Sequence, residues 1–119
     1  MASKAFFFQR MNDHVQYLRK VEEALSGKND FQGADHKGCS LGQWLYTTGP
    51  EEAAAVSEEA KSTLDKLIEP HKQFHLASQE ALNKQQSGDT AGARNASTEM
   101  HKISLSLIDI LLELDKLSK

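Results

Sequence analysis

One cysteine and three histidines supply the side-chain types that bind zinc in proteins. Cys39 is the only cysteine of the chain. His14 lies upstream of it, and His71 and His75 lie downstream, four residues apart. One thiolate and three imidazoles complete the ligand set of a tetrahedral zinc ion. If these four side chains converge, the chain binds zinc and its only thiol is a ligand.

Each of these residues also has an ordinary structural explanation. Histidine pairs at i, i+4 are common on helices, and His14 fits a hydrogen-bonded core histidine. Cys39 fits a small buried apolar side chain. The combination favours a shared role, because buried imidazoles need partners for their polar atoms. The spacing alone leaves zinc binding and simple burial as two open alternatives.

The composition indicates one small acidic domain. The chain has 119 residues, and we predict a single domain over residues 1–119. Its 14 Lys and Arg against 17 Asp and Glu give a net charge of -3, which argues against nucleic acid or an anionic membrane as partner. A lone cysteine fits a reducing compartment. Because we find no signal peptide and no apolar run near the roughly 20 residues that span a bilayer, we expect a cytoplasmic protein.

The first two elements that must position these residues are predicted to be helices. Apolar residues recur at alternating steps of four and three from Phe7 to Leu25, and His14 lies on the same inward stripe. Gly27 is a suitable C-terminal stop for this helix. A second, short helix of about two turns is predicted from Cys39 to Thr47. Its dipole favours a thiolate at Cys39.

A third helix is predicted to begin at Pro50, since proline suits the first turn of a helix. Its inward stripe includes His71 and His75, about 6 Å apart along the axis. Pro70 lies inside this pattern and should kink the helix just before His71.

A last helix is predicted from about Asp89 to Leu117. Its apolar stripe is wider than a lone surface helix needs, so we expect it to be buried by three neighbours or shared with a second subunit. The predicted fold is therefore all-α, an up-and-down four-helix bundle with a short additional helix that carries Cys39. The stripe consists of Met100, Ile103, Leu107, Ile110, Leu114 and Leu117.

Three short motifs follow one another along the chain: His14-x-x-Tyr17, Cys39-x-Leu41-Gly42-x-Trp44 and His71-x-x-x-His75. Their order and spacing resemble those of a known family, the bacterial chemoreceptor zinc-binding (CZB) domain. The resemblance extends from about His14 to Leu117. It implies a four-helix bundle that holds one Zn²⁺ per chain with His14, Cys39, His71 and His75. It also implies a cytoplasmic sensory role, in chemoreceptors or in enzymes that synthesise cyclic di-GMP.

A sensor, not an enzyme, is the expectation. A zinc site closed by four protein ligands leaves no position for a reactive water. An oxidant such as hypochlorous acid could convert Cys39 to sulfenate and weaken its hold on zinc. We therefore expect sensing of zinc or oxidants in bacterial signal transduction or chemotaxis. The expected partners are a second copy of the chain and a chemoreceptor or a diguanylate-cyclase-type signalling protein.

Three rival interpretations stay open. A di-iron bundle of the hemerythrin kind needs bridging carboxylates, and the inward stripes carry none near His14, His71 or His75. A zinc hydrolase requires that one of the four residues is not a ligand. A purely structural zinc bundle would bind the metal without switching.

Smaller features complete the expectations. His36, three residues before Cys39, is either a spare ligand that replaces the thiolate on oxidation or an exposed loop histidine, and we expect the latter. In the run Phe6-Phe7-Phe8, Phe7 should enter the core and at least one neighbour should be exposed, which favours dimerisation.

CZB domains often belong to longer signalling proteins. Since we find no methyl-accepting coiled coil or nucleotide-cyclising motif in this sequence, we expect either a free-standing member or a fragment, and the start at Met1 favours the former.

Overall fold

The regular structure is entirely helical over the residues described. The computed structural model describes residues 4–118, with side chains from Gln9 onward. No strand occurs between residues 4 and 118, so the all-α bundle is confirmed. The side-chain predictions for Phe6, Phe7 and Phe8 fall outside the described residues. The helices are α1 (Lys4–Leu25), α2 (Ser40–Leu45), α3 (Gly49–Val56), α4 (Glu58–Asp65), α5 (Ile68–Gln86) and α6 (Thr90–Leu117).

Helix α1 ends at the predicted glycine and turns His14 inward. Gly27 has a φ of 79°, a left-handed conformation that glycine adopts without steric cost. The Lys28 N–H donates to the Glu23 carbonyl at 2.8 Å, and the Gly27 N–H donates to the Ala24 carbonyl at 3.1 Å. This pair of hydrogen bonds is a Schellman motif, which satisfies the last carbonyls of the helix. His14 is buried, as predicted.

Helix α2 is the short additional helix, and Cys39 is its N-cap. It ends at Leu45, two residues before the predicted end at Thr47. Leu41 and Trp44 are buried on its inner face. This packing holds the helix, and therefore Cys39, against the bundle.

The single helix predicted from Pro50 onward is wrong, because the chain forms α3, α4 and α5 there. Pro50 does lie in the first turn of α3. Ser57 then leaves the helix with an extended backbone, and its Oγ accepts the Ala60 N–H at 3.0 Å. This N-cap stops α3 and starts α4.

The helix is interrupted earlier in the chain than the kink predicted for Pro70, which was expected just before His71. The helix breaks at Lys66 and Leu67, and α5 begins at Ile68. Pro70 therefore lies in the first turn of α5, where a missing N–H leaves no hydrogen bond unmade. The His71 N–H donates to the Leu67 carbonyl at 2.9 Å, so regular helix resumes at the histidine pair.

Helix α6 lies at the centre of the bundle and contacts α1, α4 and α5, which confirms the three predicted neighbours. Met100, Leu107 and Leu114 of the predicted stripe are buried, but at two of its other positions the next residue along the chain is the buried one. Ser104 and Leu111 are buried, whereas Ile103 and Ile110 are half-buried. The bundle is elongated, with extents of 47 × 20 × 19 Å.

Candidate metal centre

Cys39 is fixed by a tight turn that runs into α2. The N–H groups of Gly38 and Cys39 both donate to the Asp35 carbonyl, at 2.9 and 3.2 Å. The Gly42 N–H donates to Cys39 Sγ at 3.2 Å. The cysteine is only 8% exposed. Its sulfur therefore lies at the inner end of the turn, with one backbone donor already directed at it.

Two histidines of α5 meet this sulfur. Cys39 Sγ lies 3.4 Å from His71 Nε2. The donor atoms of Cys39, His71 and His75 all lie within 4.8 Å of one another, and all three residues are buried. In a tetrahedral site, Zn–S and Zn–N bonds of about 2.3 and 2.0 Å place the sulfur and a nitrogen about 3.5 Å apart. The observed separation fits two ligands of one zinc ion.

The tautomer of His75 leaves one nitrogen free to bind a metal. Its Nδ1 lies 2.9 Å from the Ala34 carbonyl oxygen. A carbonyl oxygen can only accept, so Nδ1 carries the proton and Nε2 carries the lone pair. His75 Nε2 is buried and has no hydrogen-bond partner among the described residues. Such an arrangement is typical of a metal-ligating histidine.

Tyr17 holds the carbonyl that orients His75. The Ala34 N–H donates to the Tyr17 hydroxyl at 2.9 Å, and the hydroxyl lies 3.3 Å from the Ala34 carbonyl oxygen. The rings of Tyr17 and His75 are 4.6 Å apart. Tyr17 thus positions a candidate ligand through the backbone of the loop.

His14 lies next to the cluster but outside the group of three. Its Nε2 is 2.8 Å from Ser104 Oγ on α6, and its ring packs against Phe74 at 4.5 Å. It is 2% exposed. It lies near enough to His71 and His75 for a charge on one ring to affect the others. With Nε2 bonded to Ser104, Nδ1 is the nitrogen left for a metal.

His36 is less exposed than expected for a loop histidine. Its side chain is 26% exposed, and Nδ1 lies 3.1 Å from Asp35 Oδ1. Its Nε2 is buried and unpartnered among the described residues. The ring centroids of His71 and His75 are 6.2 and 6.5 Å away. His36 therefore borders the candidate centre.

Burial keeps the three imidazoles neutral, which is the form that binds metal. It lowers the pKa of His14 to about 4 and that of His75 to about 4. It lowers the pKa of His71 to about 3, and the neighbouring histidines add to the effect.

Burial also raises the pKa of the Cys39 thiol, and the backbone donors Gly42 and Leu41 only partly oppose it. The backbone donors at the start of α2 lower the pKa, which is the direction expected for a helix start, but burial outweighs them. The thiol is therefore harder to deprotonate in the metal-free chain than an exposed cysteine.

The glycine and tryptophan of the Cys39 motif have separate structural roles. A Cβ at Gly42 would collide with the His36 carbonyl, so glycine lets α2 lie directly on the preceding turn. Trp44 is buried, and its Nε1 donates to Glu52 Oε2 at 2.7 Å. Its ring lies 3.2 Å from the position that a Cβ of Gly49 would occupy.

Two groups that hold the candidate ligands were not predicted from the sequence. Ser104 is a buried polar residue between apolar positions of α6, and its place on the helix was a usable signal. The Ala34 carbonyl is a backbone group, and no residue pattern identifies it.

A family model for the chemoreceptor zinc-binding domain matches residues 14–82, more than half of the chain. The chain belongs to the CZB family. Neither the curated proteins nor the solved structures compared with this CZB chain gave a match. The matched range begins at His14 and runs through most of α5, so it includes every candidate ligand. CZB domains are sensory domains of signalling proteins and not a catalytic family. Among the described residues, no helix is long and apolar enough to cross a membrane.

Proposed function

We propose that this CZB domain is a sensory module that binds one Zn²⁺ per chain through His14, Cys39, His71 and His75. The observation that carries the proposal is the buried, unpartnered Nε2 of His75. His75 belongs to the cluster whose three donor atoms lie within 4.8 Å of one another, and its Nδ1 proton is directed at a carbonyl. Membership of the CZB family supports the choice of zinc.

The ligand chemistry favours zinc over a di-iron centre. The cluster consists of one thiol and two imidazoles. Thiolate and imidazole are ligands of structural zinc, whereas di-iron bundles use carboxylates projecting inward from several helices. Four protein ligands close the coordination sphere, so the site is suited to holding a metal and not to activating water.

Cys39 is the residue through which the site would sense its signal. A surface cleft of about 390 Å³ is lined in part by Cys39, Tyr17 and Ser40. A small oxidant such as hypochlorous acid would reach the sulfur from this side. The thiolate sulfur would take the OH group of hypochlorous acid, which forms an S–O bond, breaks the O–Cl bond and releases chloride; the sulfur is oxidised by two electrons to sulfenic acid. Because Cys39 caps α2, weakening its bond to zinc would release this helix.

The proposed setting is bacterial signal transduction in the cytoplasm. We propose a homodimer that passes its signal to a chemoreceptor or a diguanylate-cyclase-type protein. Two large apolar residues on α6 support a partner surface, since Leu105 is 65% exposed and Leu112 is 40% exposed.

The test is the zinc affinity of purified variants, measured by competition with a chromophoric chelator. We expect one zinc per wild-type chain and a large loss of affinity in His71→Ala and His75→Ala. His101→Ala is the matched control, because His101 pairs with Glu22 on the surface at 3.0 Å. Equal affinity in all four proteins would contradict the proposed site.

Sensing has its own test. We expect hypochlorous acid to lower zinc affinity and helix content in the wild type but not in Cys39→Ala. If oxidation of Cys39 changes neither quantity, the proposal that this domain senses oxidants through Cys39 is wrong.

A further inference from the structure

The turn that carries Cys39 also carries a histidine, His36, whose side chain is of a type that binds metals. His36 packs against Tyr46 at 5.7 Å and lies beside His71 and His75. Its Nδ1 lies 3.1 Å from Asp35 Oδ1. Because a carboxylate accepts, this contact holds the proton on Nδ1 and leaves the lone pair on Nε2. That nitrogen is buried and has no hydrogen-bond partner among the described residues.

His36 and His75 therefore share one arrangement. In each ring, Nδ1 faces an oxygen of the loop and Nε2 is left buried without a partner among the described residues. Buried polar atoms rarely remain unsatisfied, and three ring nitrogens at this site have no partner among the described residues, His36 Nε2, His71 Nδ1 and His75 Nε2. A metal ion held by the four proposed ligands explains the free nitrogen of His75, but it leaves that of His36 without a partner.

The backbone links His36 to Cys39. The Asp35 carbonyl accepts the N–H groups of Gly38 and Cys39, which closes residues 35–39 into one turn. Cys39 Sγ lies 3.7 Å from the His36 carbonyl oxygen. On the other side, α2 touches the same carbonyl at Gly42. A movement of this turn that withdraws the sulfur therefore also moves the His36 ring.

We propose that His36 is a reserve ligand whose Nε2 takes the coordination position of Cys39 when the sulfur does not bind. The inference rests on the proposed zinc site. It gives that site two ligand sets, one with a thiolate and one composed only of imidazoles. The domain would then keep its metal after losing its thiolate, and the turn 35–39 would adopt a second position.

The test compares His36→Ala in two backgrounds, with Co²⁺ as the spectroscopic probe and Zn²⁺ for affinity. In the wild-type background we expect less than a threefold change in affinity. Cys39→Ala should lose the sulfur-to-cobalt charge-transfer absorption, yet still bind one metal. Adding His36→Ala to Cys39→Ala should then lower the affinity at least tenfold further.

The control for the double variant is Cys39→Ala with His101→Ala, and circular dichroism checks the fold of each protein. Cys39→Ser replaces Cys39→Ala if the alanine variant does not fold. An equal effect of His36→Ala in both backgrounds, or an effect in neither, overturns the reserve ligand. Complete loss of metal from Cys39→Ala does the same. Absence of metal binding in the wild type would instead refute the proposed function.

Discussion

A substitution of Tyr17 tests whether the Ala34 carbonyl orients the candidate metal ligand His75. The Tyr17 hydroxyl accepts the Ala34 N–H at 2.9 Å and lies 3.3 Å from the Ala34 carbonyl oxygen that receives the His75 proton. Tyr17→Phe removes the hydroxyl and keeps the ring, which packs on His75 at 4.6 Å. The substitution therefore loosens the loop without creating a large cavity.

The size of the effect follows from the hydrogen bonds lost. Each is worth about 1 kcal/mol net, so two give about 2 kcal/mol. If all of it contributes to holding His75 in its binding orientation, zinc affinity falls about 30-fold, since about 1.4 kcal/mol corresponds to a factor of ten. Changes to groups that orient metal ligands typically cost about 10- to 100-fold in affinity. We therefore expect a decrease of about 10- to 30-fold.

The assay is a zinc competition titration at fixed pH and ionic strength. Tyr46→Phe is the matched control, because Tyr46 also lies beside the site but its hydroxyl has no hydrogen-bond partner among the described residues. We expect Tyr46→Phe to bind zinc like the wild type. If Tyr17→Phe stays within threefold of the wild type, or if both variants lose the same affinity, the role assigned to Tyr17 is wrong.

Three further predictions concern packing and protons. Gly42→Ala should destabilise the protein by about 1–3 kcal/mol in denaturant unfolding, because the added Cβ would meet the His36 backbone. Gly38→Ala is the control, since its Cβ would have only ordinary contacts and should not destabilise the protein. Equal losses of stability in the two variants would contradict this explanation. The metal-free protein should lose stability as the pH falls from about 6.5 toward 4, because the buried imidazoles of His71 and His75 have pKa values below those of the unfolded chain. A free energy of unfolding that does not change over this pH range would refute their burial as neutral rings. Zinc binding near pH 7 should release about one proton, from Cys39, in calorimetry across buffers of different ionisation enthalpy, and release of two or more would mean that the imidazoles are protonated beforehand.

The sequence predicts the histidine pair well because helix geometry determines it. Residues at i and i+4 share a helix face, so the apolar stripe around His71 and His75 is enough to turn both inward. The N-cap position of Cys39 was likewise readable from the local pattern, since a short apolar helix follows it.

Other parts of the centre depend on tertiary contacts that no local pattern contains. The position of His36 is set by α2 lying on its carbonyl and by a turn closed through Asp35. The helix break at Ser57 was not predicted from the sequence, because the apolar stripe that predicted one long helix continues into α4 beyond the break. On α6, the polar Ser104 occupies an inward position opposite His14, and this shifted the predicted apolar line toward Ile103.

The most direct test of the proposed centre is X-ray absorption at the zinc edge of the loaded wild-type protein. We expect one sulfur at about 2.3 Å and three nitrogens at about 2.0–2.1 Å around each zinc ion. A first coordination shell of nitrogen and oxygen alone, with no sulfur, would contradict this expectation, because Cys39 would then not be a ligand.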